Sequence, residues 1–419
     1  MSDLTTAAPT AEGERLPVMD ILRGFALLGI FLMNIEFFTR SMQSFSGGVT
    51  PAEGLDHLLG VAIYVFVQGK FWVLFALLFG MGFALMRERA IRAGRPFAGQ
   101  YLRRTLLLAL FGALHIVFFW VGDILFAYSL AALVLLAFVG GVSLVFDRLP
   151  GTAAGILGML FYVGMAGLWL LMGVGLMFMP ESMADPVRQE MLGYVEDGAR
   201  AAAVYRDGSF MEITQQRIAD FQFLFTGATI FQIPMMVGVF LIGTWLVGTG
   251  HLADPASNRG FFVKLAIGGL LLGAIGVGAS LGFGVEFDLV EDFAESTVAL
   301  ALMTLGSLPM ALGYLAIVVL LATGALRGPL GVLAPAGRMA LTNYLMQSVI
   351  CAFIFYGYGL GLFGQIGRTG QVGIVLAVFI AQVAFSHWWL ARFRYGPMEW
   401  LWRAGTYLQW PPMRRVAHA

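Results

Sequence analysis

Several residues able to do chemistry in this sequence lie inside or at the ends of long apolar runs, where an ionisable side chain is costly and marks a functional candidate. The most suggestive spacing joins Arg103-Arg104, His115 and Asp123. His115 follows Arg104 by eleven residues. That is close to three helical turns, so the two share a face, about 16 Å apart at 1.5 Å per residue. Asp123 comes next, in the short turn Val121-Gly122-Asp123, and Tyr128 lies on the returning helix. A histidine beside a carboxylate is the usual form of an oriented general base. Arginine holds phosphate bidentately. The predicted catalytic pair is His115 with Asp123, and the predicted anion-binding residues are Arg103, Arg104 and Arg23. Simpler roles exist for the same residues: a histidine bonded to a neighbouring helix, and arginines anchored at an interface.

Other intramembrane polar residues extend the set. Asp20 and Arg23 are three apart and predict a structural pair, with Asn34 eleven residues further along the same face. Lys70 follows Gln68 in mid-run and is one of two lysines in the chain. Asn343 and Gln347 share a face of a later run. Lys70, Asn34 and Gln347 are predicted oxyanion donors, with Gln68, Tyr128 and Asn343 beside the substrate. Arg338 and Glu399 are assigned structural roles.

Ten apolar runs must position these side chains: 18–39, 57–86, 104–121, 124–146, 151–179, 221–249, 261–283, 297–323, 338–362 and 372–392. Each approaches the roughly 20 residues that a spanning helix needs. Apolar residues make up 59% of the chain and charged residues 12%. Soluble domains have about 45–50% and 25% respectively, so the fold class is an all-α polytopic membrane protein. The runs are continuous and do not alternate, which excludes an outer-membrane barrel. Run 57–86 is too long for one straight span, so a tilted helix, a kinked one, or a short helix before a full one are all open. Zero net charge gives no field for nucleic acid. The lone Cys351 can form neither an intrachain disulfide nor a cysteine-rich metal site.

Loop 87–103 and the tail after 392 are rich in arginine, whereas loop 284–296 has five acids and no base. The positive-inside rule then predicts ten spans with both termini cytoplasmic. The predicted organisation is a disordered N-terminal tail over 1–17, one helical membrane domain over 18–394 and a cytoplasmic tail over 395–419. Segment 180–220 reads as one or two amphipathic helices at the outer surface. No internal repeat or pair of interrupted helices is evident.

Several stretches resemble the YeiB-like membrane-protein family, the "domain of unknown function 418" proteins. They are Asp20 to Ile30 with Asn34, Gly69-Lys70-Phe71 with Leu78-Phe79-Gly80, and Arg103-Arg104 with His115 and Gly122-Asp123. Gly337-Arg338 through Ser348 and Gly396-Pro397 through Arg403 complete the set. More distantly, the chain is similar to the transmembrane acyltransferase superfamily, which includes heparan-α-glucosaminide N-acetyltransferase and bacterial O-acyltransferases. The shared features are Leu22-Arg23-Gly24, the paired arginines and the ten-helix plan. The resemblance implies a bacterial inner-membrane enzyme. It would move an acyl group from cytoplasmic acyl-CoA to a glycan, lipid or small-molecule acceptor on the far side, with no tightly bound cofactor or metal. The O-acyltransferase branch usually carries a histidine near the end of the first span. Here that place reads Met33-Asn34-Ile35-Glu36, so His115 would have to supply the base. The alternative is a small-molecule or lipid transporter or flippase, in which Lys70, His115 and Asp123 bind substrate or relay protons. A non-catalytic membrane partner is a third. The oligomeric state is not legible.

Overall fold

The computed structural model describes residues 16–145 and 151–415. The N-terminal tail up to residue 15 lies outside the described residues. The first seven helices are α1 (Pro17–Asn34), α2 (Gly54–Phe66), α3 (Lys70–Arg92), α4 (Ala98–Phe118), α5 (Leu125–Val145), α6 (Gly151–Met177) and α7 (Glu181–Asp207). There follow α8 (Phe210–Gly248), α9 (Arg259–Leu281), α10 (Phe293–Thr323), α11 (Arg327–Gly331), α12 (Ala334–Arg338), α13 (Ala340–Phe355), α14 (Arg368–Arg392) and α15 (Pro397–Tyr407). Among the described residues, eight helices are long and apolar enough to cross a membrane, counting α2 with α3 as one. The bent pair α11–α12 with α13 gives a ninth, and α5 contributes a shorter apolar helix. Leu160, Leu171, Ile275 and Ile380, on α6, α9 and α14, are each about two-thirds exposed. Such apolar surface suits lipid and not water. The chain is an all-α polytopic membrane protein.

Small residues set the helix packing. A side chain at Gly273 would lie 2.6 Å from the Met310 Cβ, and one at Gly276 2.6 Å from the Gly306 Cα, so α9 and α10 approach backbone to backbone. Gly80 on α3 and Gly243 on α8 meet similarly, as do Gly24 on α1 and Gly337 on α12. Without a hydrophobic driving force between helices, such close approach supplies the packing energy.

Two breaks matter for the site. Run 57–86 resolves as the short helix α2 followed by the full helix α3. Gly69 turns the chain with φ +81°, in the left-handed region that glycine adopts freely. Polar side chains hold the segments around this break: Gln68 Nε2 donates to the Gly47 carbonyl (2.7 Å), Lys70 Nζ to Tyr64 (3.1 Å) and Tyr314 Oη to Phe66 (3.0 Å). The second break corrects a sequence expectation. Run 338–362 is helical only over Ala340–Phe355 (α13), which is entered from α11–α12 through a 75° bend at Met339, so the span there is a bent pair and not one straight helix. Glu399 occupies the bend, accepting from the backbone amides of Leu341 (2.7 Å) and Thr342 (3.0 Å) and from the Thr342 hydroxyl (2.6 Å). It satisfies free donors at the start of α13 as a capping carboxylate does.

Segment 180–220 is helical as expected, but its boundary moves. Ser209 and Glu212 form a capping box, and α8 then runs unbroken for 39 residues. The helix therefore starts eleven residues before run 221–249, because amphipathic and apolar stretches join without a breaker. The C-terminal tail is not a free tail over its helical part. α15 docks on α4, where Trp402 Nε1 donates to the Arg104 carbonyl (2.8 Å).

Candidate functional site

The arginine end of the bundle holds two adjoining cavities, of about 260 and 180 Å³. Arg23, Arg104, Arg338 and Arg403 border both. They come from α1, α4, α12 and α15, so four separate elements bring their guanidinium groups to one mouth. Arg23 binds Asp20 (2.9 Å). The Arg104 guanidinium lies 3.5 Å above the Trp402 ring centroid, and Arg403 stacks on Tyr395 at 4.7 Å. Arg338 donates to the Arg394 carbonyl (3.4 Å). Stacking fixes the plane of a guanidinium group. The carboxylates at the mouth are already engaged, Asp20 by Arg23 and Glu399 by the cap of α13. The net character of the mouth is cationic.

The larger cavity continues inward as an apolar cleft. Ile30, Phe75, Phe79, Leu108 and Leu125 wall it, and Ile124, Tyr128 and Tyr344 lie with them at its inner end. It follows α3 from Met86 to Phe75, about 16 Å at 1.5 Å per residue. Burial raises the Glu399 carboxyl, beside the mouth, above its ordinary value, although bonds from Thr342 and the backbone pull it back.

His115 and Asp123 lie just behind this cleft. His115 Nδ1 donates to Asp123 Oδ2 (2.7 Å), and both side chains are buried. The other Asp123 oxygen accepts from the Phe126 amide (2.7 Å), which fixes the carboxylate at the start of α5. The return from α4 to α5 is tight because Gly112 has no side chain. A Cβ there would sit 2.5 Å from the Phe126 nitrogen and 2.7 Å from Asp123 Oδ1. With Nδ1–H committed to Asp123, Nε2 is left as the acceptor, and it has no protein partner. His115 does not line the cleft; Tyr344 lies between them, its ring centroid 5.4 Å from that of His115.

The other predicted site residues divide. Arg23, Arg104, Tyr128 and Arg338 border the cavity, as does Glu399. Arg103 does not; it turns away to the Thr406 carbonyl (3.1 Å) and fastens α15. Lys70 and Gln68 serve the α2–α3 break and line neither cavity. Asn34 ends α1, half-buried, and lines neither. Gln347 and Asn343 hold α13 to α14: Gln347 Nε2 donates to Gln382 (2.9 Å), Gln382 Nε2 to the Asn343 carbonyl (2.8 Å) and Asn343 Nδ2 to Ser386 (3.0 Å). Their polar stripe is interhelical glue. Sequence reasoning missed Tyr344, Trp402 and Arg403 as site residues. Arg403 counted towards topology and the family resemblance, and its stacking on Tyr395 carried no spacing signal.

Comparison with known proteins agrees over the whole length. Residues 246–409 match the family model described as "Protein of unknown function (DUF418)". Uncharacterized protein YxaH of Bacillus subtilis (strain 168) is 33% identical, over 98% of this chain and 99% of its own. Uncharacterized protein YeiB of Escherichia coli (strain K12) is 32% identical, over 94% and 96%. An uncharacterized 39.9 kDa protein of Bacillus acidopullulyticus is 28% identical, over 95% and 96%. No solved structure matches the chain. With relatives above 30% identity covered almost end to end, and the family model matched from the end of α8 through α15, the chain belongs to the YeiB-like DUF418 family of membrane proteins.

Proposed function

We propose that the chain is a membrane acyltransferase of a bacterial inner membrane that takes acyl-CoA from the cytoplasm at the arginine mouth. The observation that carries this reading is the continuity of four arginines with an apolar cleft that ends one aromatic ring short of His115. Guanidinium groups from four elements suit a ligand with several phosphates. The cleft suits the thin, largely apolar arm and acyl chain that follow. His115, oriented by Asp123, removes the acceptor proton once Tyr344 moves aside. The arginine end faces the cytoplasm in this reading, with both termini there, because the basic loops gather at it.

A second reading, transport or flipping of an anionic amphiphile, draws on the 75° break between α12 and α13 beside the cavity. Interrupted helices mark transporter sites. One assay separates the two. Purified protein is given acyl-CoA, and release of the CoA thiol is followed with a membrane extract as acceptor source. Acyl transfer predicts release that is lost in His115→Ala while donor binding survives. Donor binding without thiol release in any extract favours transport.

A further inference from the structure

Three nitrogen atoms around the end of α4 are buried and have no protein partner: His115 Nε2, Trp120 Nε1 and Arg217 Nε. All three residues are at most 1% exposed. They surround one turn. The Trp120 amide donates to the His115 carbonyl (2.9 Å), and the two rings meet edge to face at 6.3 Å. Arg217, on α8, donates from Nη1 to the carbonyl of Phe119 (3.1 Å), the residue before Trp120. Phe38 stacks on the Trp120 indole at 4.5 Å and holds it in place. Nearly all buried polar groups in folded proteins are paired, so three orphans at one turn call for a bound group.

Their chemistry narrows what that group is. The indole N–H and the arginine Nε–H only donate. His115 Nε2 only accepts, because Nδ1–H is committed to Asp123. The missing partner must therefore offer two lone pairs and one hydrogen. A hydroxyl oxygen offers both. A neutral amine has one lone pair, and a carbonyl oxygen has no hydrogen to give. His115 touches both Trp120 and the cleft-lining Tyr344, so this turn adjoins the end of the cleft.

We infer that His115, Trp120 and Arg217 form the acceptor site and that the acceptor is a hydroxyl, either an alcohol or, without one, water. This rests on the acyl-transfer reading above. The acceptor oxygen attacks the thioester carbonyl carbon. A C–O bond forms and the C–S bond breaks. The acceptor proton passes to His115 Nε2 and then to the departing CoA sulfur, so nothing is oxidised or reduced. Trp120 and Arg217 hold the oxygen by its two lone pairs, and the electron pair that attacks is the one released when the O–H proton passes to His115 Nε2.

Water makes the test independent of the natural acceptor. The full chain in detergent is given decanoyl-CoA, and CoA thiol release is measured beside thermal stabilisation by the same donor. The expected result is slow hydrolysis, with part of the acyl group diverted to methyl ester when methanol is added. Ethylamine should form no amide above the uncatalysed rate. Trp120→Phe keeps the ring on Phe38 and removes only the N–H. It should lower hydrolysis at saturating donor by about tenfold or more while stabilisation by the donor stays unchanged. Should that variant fail to fold, Arg217→Lys, which keeps the charge and removes Nε, is read the same way. Stabilisation by donor without any thiol release would overturn the acceptor site and leave the donor site standing. Hydrolysis unchanged in the variant, or amide formed as readily as ester, would also overturn it. Absence of donor stabilisation would instead defeat the acyl-transfer reading, and the acceptor site with it.

Discussion

His115 and Asp123 are joined by a 2.7 Å hydrogen bond between two side chains of at most 1% exposure, with a tyrosine ring separating the histidine from an arginine-mouthed cleft. The bond fixes which nitrogen of the imidazole faces new chemistry, since a carboxylate anchored by the Phe126 amide cannot turn away. Asp123→Asn should leave the bundle folded while lowering acyl transfer by about a hundredfold or more, because an amide holds the wrong tautomer as readily as the right one. Single-turnover kinetics with acyl-CoA would check this. A loss confined to KM would show that Asp123 shapes the donor site instead.

The close approach of α1 and α12 makes a second prediction. A side chain at Gly337 would collide with the Asp20 carbonyl and come within 2.7 Å of the Gly24 nitrogen. Gly337→Ala should destabilise the protein by about 1–3 kcal/mol, as over-packing does. It should also weaken donor binding, because Gly337 and Arg338 border the cavity together. Thermal unfolding in detergent reads the first effect and titration of the donor the second. Gly268→Ala on α9 is the control, since open space surrounds that position and it borders neither cavity.

Much of the architecture was legible because it rests on local apolarity and length. Among the described residues each of the ten apolar runs is largely helical, run 57–86 as two helices and run 338–362 only as far as Phe355. The bend at Met339 was not legible, since it depends on Glu399 arriving from sixty residues away to cap α13. Helical spacing placed His115 and Arg104 on one face. It could not show that the adjacent Arg103 points instead to α15, which is a tertiary fact. Lys70 and Gln68 stood out as costly intramembrane groups. They are explained by the carbonyls they satisfy around the α2–α3 break, a need that only the backbone reveals. Arg217 and Asp220 were missed because they fall in a segment that reads as surface, yet both are fully buried.

Glu399 predicts a pH dependence. Its carboxyl is raised by burial, so the folded state keeps the proton to higher pH than the unfolded chain does. The stability this contributes is full below the ordinary glutamate value and is lost as pH rises through the raised folded value. Unfolding temperature should therefore decline across the mildly acidic range, on top of the background of other groups. Glu399→Gln should flatten that decline. An identical pH profile in the variant would mean that the carboxyl titrates as in the unfolded chain.

The central claim is that the arginine mouth holds the phosphates of a donor, and it needs no acceptor to be tested. Purified protein would be titrated with acetyl-CoA and longer acyl-CoAs while thermal unfolding is followed. A ligand that binds only the folded state adds about 2.7 kcal/mol at a hundredfold excess over its Kd. The account predicts saturable stabilisation that is lost in Arg104→Ala and retained in Arg103→Ala, because only Arg104 borders the cavities. No stabilisation by any acyl-CoA in folded protein, or equal loss in both variants, would contradict it.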